Sequence, residues 1–414
     1  MHIDLLDPAS FAHGHPHEQY AWLRDHVPVY RHEEPDGPGF WALTRYEDVA
    51  AVGRDPKTFS SEPTIMIPDP AQGSGIDFGD HKMMLMMDPP DHTRFRKTIS
   101  RAFTQGPAAA LRPRIEALSR SIVDGVIERG ECDFVADVAG ELPSFVIAEL
   151  MGIPLEDGRA LYALTETIHS APGTLPEGAQ ADAVMKMFGY AQGVYRDKLD
   201  HPAEDLASQI VHAEVDGRRL DELDFQLFFL LLIDAGGDTT RNLVAGGLHT
   251  LLEHPDALAA LRADPSLIPA ARDELLRWVS PVIYMRRTAL RDTEIAGQQI
   301  RAGDKVVRYF GAANRDPRQF DGADTLDIGR TPNAHIAFGA GTHVCLGQHI
   351  ARVEIDCMLA EVLARLHDIE LAGEPAWLAS NFISGIRHLP IRFSQGNPSQ
   401  GNPSPGNPSP GNRG

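Results

Sequence analysis

Apolar residues recur at helical spacing through the middle of the chain. The stretch "PAAALRPRIEALSRSIVDGVIERG" carries one apolar helical face, formed by Leu111, Ile115, Leu118, Ile122 and Val126. The stretch "DELDFQLFFLLLIDAGGDTTRNLVAGGLHTLLEHP" is apolar almost all round. This second pattern predicts one long, mostly buried helix from Asp221 to Glu253, ended by the His254-Pro255 step.

Strand patterns are short and lie in two regions. Near the start they are "PVYRHE" and "FWALTR", and after residue 286 they are "RRTAL", "TEIAGQQI" and "KVVRYF". Helices thus outweigh strands and the strands are segregated, which predicts a mainly α fold with a smaller β region (α+β). No linker rich in Pro, Gly and Ser interrupts this part of the chain. Residues 1–393 are therefore predicted to form a single large domain.

The composition changes abruptly after Phe393. From there the chain reads "SQGNPSQGNPSPGNPSPGNRG", a repeat without any aliphatic residue. Such a segment buries too little apolar surface to offset its ordering entropy, so residues 394–414 are predicted to be a disordered tail.

The composition and the net charge limit the kinds of molecule that the chain is expected to bind. The chain has 414 residues and a formal net charge of −20. A surface of that sign repels nucleic acids and anionic membranes, so neither is expected as a partner. The N-terminus lacks the basic and apolar regions of a signal peptide, and the most apolar run is interrupted by Asp234. We therefore expect no membrane anchor and a cytoplasmic location.

The three cysteines, Cys132, Cys345 and Cys357, are too few and too scattered for a disulfide framework or a four-cysteine zinc site. Cys345 precedes a predicted helix whose free N–H groups favour a thiolate, the form in which cysteine binds metals. Acidic neighbours disfavour a thiolate at Cys132, and Cys357 falls inside the helix as a small core residue. Three glycines near Cys345 leave room for a large flat group: Gly339, Gly341 and Gly347.

The long helix contains a second unusual stretch, "AGGDTTR", from Ala235 to Arg241. Two glycines inside a helix are unfavourable by about 1 kcal/mol each relative to alanine. They allow a ligand to lie against the helix, with the Thr239 hydroxyl turned towards it. The alternative is a close helix crossing in which Thr239 bonds back to its own helix. Asp234 and Asp238 share one face of this apolar helix and require a partner or water.

Two patterns of charged residues also predict interactions. Glu274 and Arg277 are three residues apart on a predicted helix and can form an ion pair, which alone carries little information. No acidic residue occurs from His92 to Ile115, whereas six cations do: Arg94, Arg96, Lys97, Arg101, Arg112 and Arg114. This basic run predicts a docking patch or an anionic ligand, and a solvated helical face is the alternative.

Taken together, these motifs resemble the cytochrome P450 family of haem-thiolate monooxygenases, in its bacterial, soluble class. The cysteine signature of that family is matched by Phe338, Gly341, His343, Cys345 and Gly347, followed by Ala351 and Arg352. Its oxygen-binding helix signature is matched by Ala235, Gly236, Asp238, Thr239 and Thr240, and its Glu-x-x-Arg pair by Glu274 and Arg277. The segments "DPPDHTRFR", "RRTAL" and "ANRDP" are also similar, and all occur in the family's order.

The resemblance implies roles for these residues. Cys345 is the expected iron ligand of haem b, and Phe338 packs near its sulfur. Ala235, Gly236, Gly339 and Gly347 are expected against the haem. Cations for the two propionates are expected at His92, Arg96, Arg287 and His343. Asp238 and Thr239 resemble the acid and alcohol that deliver protons to oxygen, and Glu274 and Arg277 a structural pair. A family arginine that joins this pair is missing at Thr325, which leaves the third member of the network open.

The implied reaction inserts one atom of O₂ into a C–H bond. Electrons come from NAD(P)H through a separate reductase and a ferredoxin or flavodoxin, which we expect to dock on Arg94, Lys97 and Arg101. Family position places substrate-pocket walls in "HKMMLMM", "FFLLLIDA", "VIYM" and "NFISG", whose apolar side chains favour a terpene, steroid or fatty acyl compound. The alternatives are an aminoacyl or polyketide substrate on a carrier protein, a haem-thiolate protein that uses peroxide, and a non-catalytic haem sensor.

Overall fold

Helices form most of the structure, a computed structural model that describes residues 2–69, 78–168, 176 and 178–395. The α-helices are α1 (His17–His26), α2 (Tyr46–Arg54), α3 (Asp91–Ile99), α4 (Gln105–Ile127), α5 (Glu141–Met151), α6 (Leu155–Ile168), α7 (Ala179–Asp200), α8 (Leu206–Val211), α9 (Glu222–Glu253), α10 (Pro255–Ala263), α11 (Ile268–Val279), α12 (Phe310–Ala313) and α13 (Gln348–Arg365). Single 3₁₀ turns occur at Pro8–Phe11, Met84–Met86, Ser100–Phe103 and Pro265–Leu267, and a π turn at Val135–Ala139.

Strands are short and gather into small sheets. They are β1 (Val29–His32), β2 (Phe40–Leu43), β3 (Phe59–Ser60), β4 (Glu131–Asp133), β5 (Glu214–Val215), β6 (Arg218–Arg219), β7 (Tyr284–Ala289), β8 (Thr293–Ile295), β9 (Gln298–Ile300), β10 (Lys305–Tyr309), β11 (Leu366–Leu371), β12 (Ala376–Trp377), β13 (Ile386–His388) and β14 (Pro390–Gln395). The largest sheet has the order β1-β2-β10-β7-β3. It joins the two regions in which the sequence predicts strands, so the α+β expectation is confirmed.

The long central helix α9 begins and ends where its sequence predicts. The Asp221 side chain accepts a hydrogen bond from the Asp224 N–H, and the Asp224 side chain accepts one from the Asp221 N–H, which forms a capping box. The helix ends at Glu253, because Pro255 starts α10 in a new direction. Most of α9 is buried against α5, α7 and α11, so it forms the centre of the helical layer.

The register of β7 and β10 places two arginines on one face of the large sheet. The strands are antiparallel, with Val306 opposite Arg287 and Arg308 opposite Met285. Paired residues, and residues two apart on one strand, share a face of a sheet. Met285, Arg287 and Arg308 therefore project to the same side.

The C-terminal third holds strands that the apolar pattern does not predict. β14 pairs with β11 and β4, and β12 pairs with β13. Ser394 and Gln395 belong to β14, and the rest of the predicted tail lies outside the described residues. Within the described ranges no single helix has the length and apolar character needed to cross a bilayer. The bent pair Val135–Met151 and Leu155–Ile168 reaches that length only jointly, with an angle of 116° between its parts.

Candidate active site

Cys345 lies in the loop before α13, in the wall of an apolar cavity whose opposite wall is α9. The residues predicted to contact haem line this one cavity. They are His92, Arg96, Ala235, Gly236, Arg287, Phe338, Gly339, His343, Cys345 and Gly347, with Thr239 beside them. The sequence motifs, although up to about 250 residues apart, thus converge on one site.

The cysteine loop is shaped by glycine and by backbone hydrogen bonds. Gly339 and Gly341 have φ of +76° and +83°, a region that favours glycine. A Cβ on Gly341 would lie 1.9 Å from the Gly53 carbonyl oxygen, so Gly341 serves a close approach to α2 and does not line the cavity. The Cys345 N–H donates to the Phe338 carbonyl at 2.8 Å, and Arg96 donates to the Val344 carbonyl at 2.7 Å. These contacts fix the position of the sulfur.

The ionisation of Cys345 differs from the sequence expectation. Burial raises the pKa of the Cys345 thiol above its ordinary value, although N–H groups of Gly347 and Gln348 and the charge of Arg96 oppose that rise. The helix N-terminus is present as predicted, but desolvation outweighs it. A further positive charge beside the sulfur, such as a bound metal ion, would favour the thiolate.

The other two cysteines are unsuited to a metal site. Burial raises the pKa of Cys132 to about 12, with Asp137 and Asp133 adding to the effect. Burial also raises the pKa of Cys357 to about 12, and its side chain packs in the core beneath α13. Both outcomes agree with the sequence interpretation.

Two histidines stack at one end of the cavity. The rings of His92 and His343 are 3.9 Å apart, and the His343 Nε2–H donates to the Met87 carbonyl at 3.0 Å. Burial lowers the pKa of His92 to about 4 and that of His343 to about 2, so both are neutral donors at physiological pH. His92 Nδ1 is buried and has no hydrogen-bond partner within the described part of the chain.

Arginine 308 belongs to the same group and was missed by the sequence interpretation. It lines the cavity beside Arg287, and 2% of its surface is exposed. Both arginines lie in strands, where a period-2 pattern with an arginine in a buried position would have been the indication. A pair of buried cations and two buried imidazoles at one end of a cavity fits an anionic ligand such as a pair of carboxylates.

The glycines of α9 fulfil both of the roles considered for them. Gly236 lines the cavity, whereas a Cβ on Gly237 would lie 2.9 Å from the ring of Tyr162 on α6. The first glycine therefore opens the cavity and the second permits a helix crossing. The Thr239 hydroxyl donates to the Ala235 carbonyl at 3.2 Å, so in this structure it bonds back to its own helix while facing the cavity.

Asp238 points away from the cavity, which the spacing of the motif does not reveal. Its carboxylate accepts hydrogen bonds from the Tyr162 hydroxyl at 2.9 Å and from Arg241 at 3.1 Å. Arg241 also pairs with Glu166 of α6 and lies over the Tyr162 ring. Asp238 thus joins α9 to α6 through a buried polar network, and it does not belong to the cavity wall.

A second buried acid lies on the cavity and was not predicted. Glu354 of α13 lines the wall together with Thr240 of α9, whose side chain is hydrogen-bonded to it. Burial raises the pKa of Glu354 to about 8, so the side chain is largely protonated at neutral pH. The indication in the sequence was a glutamate one helical turn after Ile350, on the apolar face of its helix.

The Glu274–Arg277 pair is fully buried and has the third member that the sequence left open. Arg277 donates to both carboxylate oxygens of Glu274, at 2.7 and 2.8 Å. Arg330 donates to the same carboxylate at 3.0 Å, while Thr325 contributes only its carbonyl oxygen. The missing cation is therefore supplied five residues further along the chain.

The basic run and the predicted pocket walls are only partly as expected. Arg94 pairs with Asp91 and Asp216, while no ion pair involves Lys97 or Arg101 within the ranges that the structure describes. Arg112 and Arg114 pair with Asp356 and Glu149.

Three of the four predicted wall segments line the cavity, through Met84, Leu85, Leu231, Leu232, Val282 and Met285. None of residues 381–385, all of them described, does so, because this segment packs behind Val282 instead.

Known proteins resemble this chain over nearly its whole length. The family model described as Cytochrome P450 matches residues 181–371. The chain is 36% identical over 402 residues to a steroid C26-monooxygenase of Mycolicibacterium smegmatis, which covers 96% of this chain and 97% of the relative. It is 36% identical over 389 residues to a methyl-branched lipid omega-hydroxylase of Mycobacterium tuberculosis, which covers 91% of this chain and 90% of the relative.

A solved structure gives the same result. The cytochrome P450 CYP268A2 of Mycobacterium marinum, in complex with pseudoionone, superposes with a TM-score of 0.89 at 35% identity. The superposition covers 95% of this chain and 99% of that one. The single-domain α+β architecture and the order of the motifs are therefore those of one family. The chain belongs to the cytochrome P450 family and is an oxidoreductase of its monooxygenase class.

Proposed function

We propose that Cys345 ligates the iron of haem b in this monooxygenase, which hydroxylates an apolar small molecule. The observation that carries the proposal is the single cavity that brings the Cys345 loop, the Gly236–Thr240 stretch and the buried cations together. Bound haem supplies oxygen activation, in which a thiolate ligand donates electron density that favours O–O cleavage. The fold supplies the binding, orientation and proton delivery.

The walls of the cavity fit a flat group that carries two carboxylates. Gly236 and Gly339 present no side chain, and a Cβ on Gly347 would meet no atom within 4 Å. Arg96 and Arg287 offer full charges, and His92 has a buried ring nitrogen available for a hydrogen bond. Phe338 lines the same cavity as Cys345, and the guanidinium carbon of Arg352 lies 4.6 Å from the centre of its ring. These residues would hold haem and shield the thiolate from water.

Two acids lie within reach of the cavity through threonine neighbours. Asp238 reaches it only by leaving Tyr162 and Arg241, whereas Glu354 is already in the wall with Thr240. We assign Asp238 and Thr239 to proton delivery at the oxygen-binding side, with the Thr239 hydroxyl leaving the Ala235 carbonyl to donate into the cavity. Glu354, whose carboxyl group accepts a hydrogen bond from the Thr240 hydroxyl, is a second group able to hold a proton beside the cavity.

An apolar substrate follows from the lining of the cavity. Apart from the groups already named, the wall is aliphatic, aromatic or methionine, with contributions from Leu231, Leu232, Val282, Met285 and Phe103. Such a wall orients a ligand by shape and offers few polar anchors. Relatives that act on a steroid and on a methyl-branched lipid, and a neighbour that holds pseudoionone, support a steroid, branched lipid or terpenoid substrate.

Electrons would arrive from NAD(P)H through a separate reductase and a ferredoxin or flavodoxin. The 3₁₀ turn that carries Arg101 packs against α13, the helix that follows Cys345. Lys97 and Arg101 are exposed, whereas the charge of Arg94 is offset by Asp91 and Asp216. Docking of an acidic partner therefore rests on Lys97 and Arg101 more than on Arg94.

A titration of the purified ferric protein tests this function. Steroids, methyl-branched fatty acids, terpenoids and acyl chains on a carrier protein would each be added while the Soret band is followed. A spin-state shift with one apolar class, followed by hydroxylated product with a surrogate ferredoxin and reductase, supports the proposal. A shift only with carrier-bound acyl chains would overturn the free-ligand part, and haem-loaded protein that forms no product with any ligand that shifts the band would overturn the enzymatic part.

A further inference from the structure

Arg308 is a buried cation without a counter-charge in the part of the chain that the structure describes. Its Nε and Nη1 atoms are buried and have no hydrogen-bond partner there. Burial, together with the repulsive charge of Arg287, lowers the pKa of Arg308 well below the usual value. A buried guanidinium in that condition is unfavourable unless an anion joins it.

The surroundings of Arg308 hold its side chain in one place. A Cβ on Gly53 of α2 would lie 2.2 Å from Nη1, so glycine is required there to admit the guanidinium. The guanidinium carbon lies 5.3 Å from the ring centre of Phe310. The guanidinium of Arg308 thus lies between Gly53 of α2 and the ring of Phe310, and Arg308 also lines the cavity.

Nearby acids do not neutralise this cluster. Asp88 acts on Arg287, but its own oxygens accept hydrogen bonds from the Ser60 hydroxyl and from the Ser61 N–H at 2.8 Å. Arg287 itself donates to the Arg286 carbonyl at 2.7 Å and retains further donors. Two neighbouring guanidinium groups on one sheet face therefore remain available for one anionic group.

We propose that Arg308 binds a haem propionate jointly with Arg287, as an additional arginine beyond the cations that the family resemblance assigns. The inference rests on the proposed haem site. A guanidinium matches a carboxylate with two parallel N–H donors, so one propionate can accept hydrogen bonds from both arginines and offset part of their positive charge. Haem binding thereby removes an electrostatic penalty that the polypeptide carries by itself, and Arg308 contributes to haem retention.

Haem release and the propionate vibrations of the ferric holoprotein test this role. Arg308→Met, which keeps an apolar chain of similar length, is expected to release haem to an excess of a scavenging apoprotein roughly 10- to 100-fold faster, as loss of a charge-assisted hydrogen bond implies. The propionate bending bands in the resonance Raman spectrum are expected to shift. Arg308→Gln, which removes the charge but keeps a donor, decides the matter in the same way if the methionine variant does not fold.

Arg286→Met is the matched control. Arg286 is a buried arginine on the opposite face of the same sheet and is paired with Asp69, so its loss should leave the propionate bands unshifted. Wild-type release rates and unshifted bands in the folded Arg308 variants would overturn the inference and make Arg308 a packing residue against Phe310. That result would leave haem binding by Cys345 intact, whereas wild-type protein that binds no haem would overturn the proposed function itself.

Discussion

The hydroxyl of Tyr162 donates a hydrogen bond to the carboxylate of Asp238 at 2.9 Å. Tyr162 belongs to α6 and Asp238 to α9, so this bond crosses between two helices. Arg241 and Glu166 extend it into a network of four polar side chains. The acid that the motif assigns to proton delivery is therefore held away from the cavity.

Removal of the Asp238 carboxylate and removal of the Tyr162 hydroxyl should have opposite effects on turnover. Asp238→Asn is expected to lower turnover by roughly 100-fold, the usual loss for a general acid, and to enlarge the solvent isotope effect. Tyr162→Phe removes one of the hydrogen bonds that hold the carboxylate and should preserve or raise turnover with a smaller isotope effect. Tyr190→Phe, which removes a similar bond to Asp157 on the other side of α6, is the control. A loss in Tyr162→Phe as large as in Asp238→Asn would place Tyr162 itself in the proton path.

Glu354 should make stability depend on pH. Its pKa is raised to about 8 in the folded protein, whereas an unfolded glutamate titrates near 4.3. Between these values the unfolded chain loses the proton that the folded chain keeps, so Glu354 lowers stability progressively as pH rises from about 4.3 to about 8. Glu354→Gln removes this penalty.

Urea unfolding of the two proteins across that pH range measures the effect. The free energy of unfolding of the variant, relative to that of the wild type, is expected to increase with rising pH and to stay at a constant difference above about pH 8. A difference in unfolding free energy that does not change with pH would show that the acid titrates normally in the folded protein.

Arg330 should matter for stability far more than an exposed arginine. Its guanidinium donates to the fully buried Glu274 and to the carbonyl oxygens of Asp321 and Gly322, so Arg330→Met removes a cation beside that carboxylate together with several hydrogen bonds and should destabilise by about 3 kcal/mol. Arg392, which pairs with Glu370 at an exposed site on β14, provides the comparison. Arg392→Met is expected to lose less than about 1 kcal/mol. Equal losses in urea unfolding would contradict the role given to Arg330.

Charge reversal tests the docking patch. Arg101→Glu should slow reduction by an acidic ferredoxin and weaken its dependence on ionic strength, because one attractive charge is replaced by a repulsive one. Arg387→Glu makes the same change of charge on β13, which does not belong to the docking patch, and should leave the rate near that of the wild type. Stopped-flow reduction at low and high salt distinguishes the two variants. Identical rates and salt dependences for both would exclude the patch.

Periodicity was sufficient for α4 and α9 and for β1, β2, β7 and β10 of the large sheet, but not for the two-residue β3. The boundaries of α9 follow from Asp221 and Pro255, because capping and proline act locally. The strands β12 and β13 were not predicted, since two or three residues carry little pattern, and the β11–β14 pair is interrupted by a register shift.

The site was predictable as a set of residues but not in its orientations. The family resemblance placed Cys345, Arg287 and Thr239 around one group, and all three line one cavity. The direction of the Asp238 carboxylate depends on Tyr162, which lies 76 residues earlier in the sequence. Arg308 became recognisable only through its register with Arg287 across two strands. Such relationships arise from tertiary packing, which a single sequence does not display.

The identity of the iron ligand is the central claim, and the absorption spectrum of the ferrous carbon monoxide complex tests it most directly. Cys345→Ala should lose the red-shifted Soret band that marks a thiolate ligand, whereas Cys357→Ala, which alters a buried core cysteine in the following helix α13, should keep it. Retention of that band in Cys345→Ala, or its loss in folded Cys357→Ala, would contradict the account.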